Sequence, residues 1–423
     1  MEKEWRQEDG ASGEWTDAGV FAVASHDRAL HKRGGARAGD RAGAPVPERP
    51  ARKCLGGKGE KSLRKRGRGR AVCLRRAHQS AGWLGSGGYD RAMADAAFRR
   101  LGGIDVNAMA LHELSDVLCD TGLVGRLLDL AVEEDFGFGA GSGGPGAAPR
   151  DITSEVSIAP DHHSTYHVVA RKPGVAAGLV PLYELTNRWP EIAYAPTVVD
   201  GEVIEAGRVV ARMAGPTGRV LGIERTYLNL LGRLSGIATR TARFVEAMGT
   251  GHRAHLYDTR KTTPGLRVLE KYAVRCGGGR CHRFGLHDAV LLKDNHIAHV
   301  PPGELGAFVA EASRRARAIW ASGPATLLRP FVEVEVDTLE QFAEILETEP
   351  GVVDIVLLDN MEPETLKRAV AMRDGARSTI ELEASGGATL ESIRAIAMTG
   401  VERISVGSVT HGATVLDFGL DAV

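Results

Sequence analysis

From Gly249 onward the chain alternates short β-branched runs with helical segments, and few folds tolerate that alternation. The runs are H-L-Y, A-V-L-L, F-V-E-V-E-V, D-I-V-L-L, T-I-E-L-E-A and R-I-S-V. Helical periodicity fills residues 304–320, 338–348, 362–374 and 389–399 between the later ones. Thr338 with Gln341 reads as a capping box, Thr389 as an N-cap, and Gly400 as the left-handed residue that ends a helix. Repeated βα units imply a parallel sheet, and continuous Val, Ile and Leu runs imply strands covered on both faces. An α/β barrel and an open doubly wound sheet both satisfy this pattern.

The preceding residues read differently. Apolar spacings of three and four begin near Leu111, a Gly-rich loop covers Gly137 to Gly146, and residues 164–215 show short β-type runs broken by Gly174, Gly178 and Gly207. This predicts a mixed α and β domain. A sustained 3.6-residue period from Glu224 to Met248 predicts one long, half-buried helix.

Residues 1–92 carry 20 Lys and Arg against 11 Asp and Glu, a local charge of +9, so the net charge of −1 leaves −10 for the remainder. This segment is rich in Gly, Ala and Pro and poor in large aliphatics, a composition that cannot bury enough surface to offset its chain entropy. It is expected to be a disordered tail, or a stretch upstream of a start at Met93 or Met109. Its Lys61 to Arg70 cluster would suit nucleic acid, but a solvated tail explains it as well. Five cysteines without a C-x-x-C pair point to thiols in a reducing compartment. No run of eighteen uncharged apolar residues occurs, and the amino terminus lacks a signal-peptide pattern. A cytoplasmic protein without membrane contact is the expectation.

Polar residues follow each apolar run: Asp258 to Lys261, then Lys293 to His296, Glu335, Asp359 with Asn360, Ser385 with Gly386 and Gly387, and Ser405, Val406 and Gly407. In a parallel barrel every strand's carboxyl end opens on one face, so these groups would converge on one mouth. Turn-forming residues are ordinary at strand ends, which accounts for Asn360 and the glycines but not for the Arg, Lys, Glu and Asp. Arg225, Arg260, Lys261, Arg283 and Lys293 form a cationic set suited to carboxylates or phosphates. Glu335 and Asp359 offer hard oxygens for Mg²⁺ carried in by a diphosphate. The two small turns, E-A-S-G-G and S-V-G-S, can cradle a phosphate with free backbone N–H groups.

These segments resemble the quinolinate phosphoribosyltransferase family. Glu224 to Thr239, D-T-R-K-T-T-P-G-L-R-V-L-E-K-Y-A-V-R-C-G-G-G from Asp258, His282 with Arg283, K-D-N-H-I from Lys293, V-E-V-E-V, L-L-D-N, E-A-S-G-G and I-S-V-G match it in order and spacing, from about Leu114 to Leu420. The resemblance implies an amino-terminal α/β sandwich over residues 109–222 and an incomplete, seven-stranded α/β barrel over 223–407. Residues 408–423 would return to the sandwich, leaving 1–108 as an extension. It implies transfer of phosphoribosyl from phosphoribosyl diphosphate to quinolinate, with Mg²⁺ as cofactor. Arg260, His282, Arg283 and Lys293 would line the quinolinate pocket beside Thr259, and Lys261 would sit between pyridine and ribose. Glu335 and Asp359 would face the ribose hydroxyls and the Mg²⁺-diphosphate, and Ser385 to Gly387 with Ser405 to Gly407 would hold the 5′-phosphate. Arg225 would enter a neighbouring subunit's site, in a homodimer or a hexamer built of dimers. Cys281 departs from the family pattern, which has Asn before the His-Arg pair, and F-G-L-H-D leads the next strand.

Cys276, Cys281 and His282 cluster in sequence, but no fourth ligand at suitable spacing completes a zinc site. His162, His163, His252 and His255 read as surface or turn residues, and Glu133 with Glu134 as the end of a solvated helix. The rival readings are a sister phosphoribosyltransferase acting on another pyridine or pyrimidine acid, and a basic-tailed scaffold on an inactive barrel. Deleting residues 1–92 should leave the melting temperature and specific activity of the remainder nearly unchanged. A large loss of stability in the truncated chain would show that the tail packs on the body.

Overall fold

The computed structural model describes residues 105–137, 150–322 and 330–423. The basic segment 1–92, Met93 and most of the Gly-rich stretch lie outside the described residues. Two helices open the described chain, α1 (Leu111–Asp120) and α2 (Leu123–Phe136), followed by α3 (Ile152–Ser157). The Asp151 carboxylate caps α3 by accepting the Ser154 N–H at 3.1 Å. Then come β1 (His163–Ala170), β2 (Gly174–Val175), α4 (Tyr183–Thr186), β3 (Ala193–Pro196), β4 (Val203–Ile204) and β5 (Val209–Pro216).

Helix α5 (Thr217–Met248) is the long helix expected from periodicity, but it begins two turns before Glu224. Two glycines lower the intrinsic helix propensity of residues 217–223, and burial of Val220 and Ile223 on the same face overrides it. After it run β6 (His255–Tyr257), α6 (Arg267–Cys276), β7 (Val290–Leu292), α7 (Asp294–Ile297), α8 (Leu305–Ser322) and β8 (Val332–Val336). The chain continues through α9 (Leu339–Leu346), β9 (Ile355–Asp359), α10 (Pro363–Gly375), β10 (Glu381–Ser385), α11 (Ile393–Ala397), β11 (Arg403–Ser405), α12 (Ser408–His411) and β12 (Phe418–Ala422). Helix α6 was not separately expected, although Leu269, Tyr272, Ala273 and Cys276 give it a buried stripe.

The capping box of α9 is present: Thr338 Oγ1 accepts the Gln341 N–H, and Gln341 Oε1 accepts the Thr338 N–H, both at 3.2 Å. Thr389 caps the turn in front of α11, accepting the Ser392 N–H at 3.2 Å. Gly400 has φ +99°, as a helix terminator requires.

Six strands form one parallel sheet in the order β6-β11-β10-β9-β8-β7. The resemblance implied seven. The segment that would supply the seventh makes a single parallel bridge, Tyr257 to Arg280. Beyond it, side chains occupy the backbone groups that a ladder would use. Asn107 accepts the Cys281 N–H at 2.7 Å and donates to the Cys281 carbonyl at 3.0 Å. Asp258 and Lys271 do the same for His282. Every residue of β8 is buried, as expected of a strand covered on both faces.

A four-stranded antiparallel sheet, order β12-β1-β5-β3, gathers the amino-terminal strands and the last strand of the chain. The connection to β12 crosses α5, where the Leu416 N–H donates to the Gly232 carbonyl at 2.9 Å. A Cβ on Gly236 would stand 1.9 Å from the Thr414 carbonyl oxygen, so only glycine admits this crossing. In an exposed helix interior Gly→Ala stabilises by about 1 kcal/mol. Here Gly236→Ala should instead destabilise by roughly 1–3 kcal/mol, because the chain at 414–416 must be pushed away. Urea unfolding checks the sign, and a gain in stability would mean that the crossing does not press on α5.

Candidate functional site

Because the six strands are parallel, their carboxyl ends open on one side. There a cavity of about 1030 Å³ is lined by Thr259, Arg260 and Lys261 after β6, by His282 and Arg283, and by Lys293 after β7. Glu335 of β8, Asp359 and Asn360 of β9, Ser385 to Gly387 of β10 and Ser405 to Gly407 of β11 complete the ring. Of the residues grouped at the mouth or in the cationic set, the structure brings together all but Arg225, Asp258, Asp294, Asn295 and His296. The Arg225 side chain projects from α5 with 67% of its surface exposed, 3.7 Å from Glu224. Asp258, grouped with the mouth from sequence, is instead fully buried against Lys271.

The cations are held in different ways. Lys293 pairs with the largely buried carboxylate of Glu335. Lys261 is anchored through its backbone: its N–H donates to Thr259 Oγ1 at 3.0 Å, and its carbonyl accepts the Thr410 hydroxyl at 2.7 Å. Arg283 is buried and donates to the Ala289 carbonyl at 3.0 Å. Burial, and then the neighbouring Arg260, lower the guanidinium pKa of Arg283. Arg260 itself keeps a buried Nε without a hydrogen-bond partner. Two guanidiniums thus crowd one wall of the cavity, and an entering dianion would relieve their repulsion.

The opposite wall is built for an oxyanion by backbone geometry. Gly386 adopts φ +99°, and a Cβ there would lie 2.1 Å from the Asn360 side-chain oxygen. Asn360, itself at φ +52°, donates its N–H to the Ser385 carbonyl at 2.8 Å, and its amide donates to Asp359 at 2.6 Å. The two strand ends are therefore locked together and the Ser385–Gly387 turn faces the cavity.

Beneath the cavity lies a buried charge network. His282 Nε2 is 2.9 Å from Glu333 and 3.6 Å from Glu383, and Arg403 donates to Glu383 at 2.6 Å while stacking 3.7 Å over the Tyr257 ring. Burial pushes both carboxyls up. Glu383 adds to it at Glu333, which is raised, whereas His282 and Arg403 outweigh it and hold Glu383 low. For His282, burial pulls downward but the two glutamates prevail. Against that, Nδ1 accepts the Arg283 N–H at 2.8 Å, which requires it unprotonated. That hydrogen bond leaves a ring proton on Nε2, 2.9 Å from Glu333.

His282, Glu333 and Glu383 place one ligand atom each within 4.8 Å of the others. Arg403 supplies counter-charge to Glu383, while both Glu333 oxygens and Glu383 Oε1 are buried without a hydrogen-bond partner. Cys276 and Cys281, considered with His282 from sequence, are buried thiols whose pKa values burial drives upward, away from the thiolate that zinc needs. Glu335 and Asp359 bring two carboxylates to the cavity lining, Glu335 being paired with Lys293.

Further lining residues had no site role from sequence: Arg240 and Phe244 from α5 and His411 from α12, while Glu383 and Ser408 figured only as ends of the E-A-S-G-G and S-V-G-S turns. Arg240 Nε donates to the Ser408 carbonyl at 2.7 Å, tying α5 to the rim. His411 follows the last strand end by one helical turn, so extending the strand-end rule that far would have found it. No sequence periodicity points to Arg240, because its helix reaches the cavity only through the fold.

The family description "Quinolinate phosphoribosyl transferase, C-terminal domain" matches residues 237–421, and the corresponding N-terminal domain matches 151–235. The nicotinate-nucleotide pyrophosphorylase [carboxylating] of Mycobacterium leprae is 40% identical over 294 residues, covering 69% of this chain and 94% of that one. A probable enzyme of the same name from Bacillus subtilis is 38% identical over 300 residues, 70% of this chain and 92% of the relative. The crystal structure of NadC from Streptococcus pyogenes superposes with a TM-score of 0.61 at 34% identity, covering 71% of this chain and 97% of that one. That of the Francisella tularensis nicotinate-nucleotide pyrophosphorylase gives 0.60 at 31% identity, over 76% of this chain and all of that one. With both family domains matched in order over the described sheets and the cavity, the chain belongs to the quinolinate phosphoribosyltransferase family.

Proposed function

We propose that this chain transfers a phosphoribosyl group from phosphoribosyl diphosphate to the ring nitrogen of quinolinate, releasing diphosphate and CO₂ and leaving nicotinate mononucleotide. One observation carries the reading: Arg260 and Arg283 crowd one wall of a cavity that also holds Lys261 and Lys293, two carboxylates and two phosphate-sized turns. A pyridine dicarboxylate supplies the dianion that this wall lacks.

In this reading the quinolinate carboxylates sit against Arg260, Arg283 and Lys293, with His282 forming the pocket floor and Thr259 its edge. Ser385 to Gly387 and Ser405 to Gly407 cradle the 5′-phosphate of the donor. Departure of diphosphate builds positive charge on the anomeric carbon, and Glu335 and Asp359 stabilise it as the pyridine nitrogen attacks. Mg²⁺, entering with the diphosphate and held near Glu335 and Asp359, would neutralise charge on the leaving group. The positive charge on the quaternised nitrogen then stabilises the electron pair left on the adjacent carbon when CO₂ departs, and that carbon takes up a proton. Lys261, anchored at both backbone ends beside these turns, lies between pyridine and ribose. The protein positions and neutralises, and no side-chain nucleophile is needed.

We read the six-stranded sheet with its Arg280 bridge as the incomplete barrel, and the four-stranded sheet with α1 to α4 as the sandwich. The exposed Arg225 fits a role in a partner's site within a homodimer or hexamer. Three free cysteines among the described residues suit a cytoplasmic setting, and no helix of those residues is long and apolar enough to cross a membrane.

A coupled assay for quinolinate-dependent release of diphosphate and CO₂ tests the reaction. Equal turnover of nicotinate, which has one carboxylate fewer, would refute the substrate assignment. Lys261→Ala and Lys293→Ala should each lower kcat/KM by about 10²–10³ with melting unchanged. Wild-type kinetics in either folded variant would remove that residue from the site. Arg225→Ala should weaken quinolinate binding by roughly 10- to 150-fold, the loss of one charge-assisted contact. Mixing Arg225→Ala with Lys261→Ala should restore activity, since a heterodimer carries one site with neither lesion. No rescue after demonstrated subunit exchange would place Arg225 in its own chain's site or in none.

A further inference from the structure

We propose that the buried Asp258–Lys271 ion pair is a positioning device that sets the His282–Arg283 dipeptide against the substrate and so tunes affinity for the dicarboxylate. This inference rests on the proposed quinolinate site. Asp258 and Lys271 are both 0% exposed and lie 2.5 Å apart, and neither lines the cavity. Together they hold both backbone polar groups of His282. Asp258 Oδ1 accepts the His282 N–H at 2.7 Å, and Lys271 Nζ donates to the His282 carbonyl at 2.9 Å.

No strand ladder does this work on the segment. Asn107 occupies the backbone of Cys281, Asp288 accepts the Phe284 N–H at 2.7 Å, and Arg267 donates to the Phe284 carbonyl at 3.2 Å. From Cys281 to Phe284, side chains replace the neighbouring strand, and at His282, the first of the two residues that reach the cavity, the replacement is a charge pair. The His282 backbone in turn fixes Arg283, whose N–H donates to the His282 ring. Burying two charges costs desolvation that an apolar pair of the same volume avoids, so stability alone does not call for this pair. A charge-assisted grip on the peptide units on either side of His282 fixes their direction more sharply than apolar packing does. The benefit is directional: the Arg283 guanidinium is held beside Arg260 against their mutual repulsion.

The test uses the full-length chain and the neutral, similarly shaped pair Asp258→Asn with Lys271→Met, which leaves no buried charge unpaired. With melting near that of the wild type, the double variant should raise the quinolinate KM by about tenfold or more, while the KM for phosphoribosyl diphosphate changes by less than about threefold. Lys271→Arg, which keeps donors for both acceptors, should recover most of the quinolinate affinity. If the double variant does not fold, Lys271→Met alone is read in the same way, because Asp258, whose carboxyl burial already pushes up, can take up a proton. A folded variant with unchanged quinolinate KM, or with equal losses for both substrates, overturns the inference and leaves the pair purely structural. A wild type without quinolinate-dependent turnover overturns the functional reading, and the inference with it. An active wild type beside an indifferent variant overturns the inference alone.

Discussion

A parallel sheet covered on both faces forces the chain to leave every strand on the same side, and the rest of this structure follows from that constraint. Six strand ends supply polar residues to one cavity because the connections have nowhere else to put them. Most of these strands are apolar on both sides, but β8 is apolar on one side only, where Val332, Val334 and Val336 lie. Its other residues, Glu333 and Glu335, face toward the cavity and the network beneath it, where polar groups find partners. A strand that alternates Val with Glu while fully buried makes sense only over such a network.

The network is expensive in desolvation and is balanced by charge rather than by water. Arg403 answers Glu383, the His282 ring offers its Nε2 proton to Glu333, and Lys271 answers Asp258. Removing Arg403 alone would leave Glu383 without its cation, which is costlier than removing the two together. The layer therefore behaves as a unit under the cavity. The cations above it are only partly answered: Lys293 has Glu335, while Arg260 and Arg283 face each other. Two guanidiniums crowded on one wall are what suit the cavity to an anion.

The long helix α5 joins the two sheets. It packs on β2, on β5 and on β12, and its polar side delivers Arg240 and Phe244 to the cavity. Small residues at Gly232 and Gly236 let the returning chain cross it, so the last strand reaches the amino-terminal sheet. The first and last strands of the described chain thus pair in one sheet.

Sequence by itself determined the βα alternation, the long helix, and nearly all of the cavity ring, because strand burial and strand-end polarity are local properties that a period and a run length record. It determined the family as well, since the D-T-R-K-T-T-P-G and K-D-N-H blocks keep their residues and spacing. Only the tertiary structure decided that Asp258 turns inward to Lys271 rather than outward to the cavity, for the two are thirteen residues apart and their pairing depends on where α6 docks. It also decided that the segment after Gly279 bonds to side chains instead of a ladder, through Asn107, which lies 174 residues away from Cys281. Glu333, Glu383, His282 and Arg403 come from four separate elements, and no local pattern encodes a contact among them. Burial makes such contacts strong, and burial is a property of the packed fold.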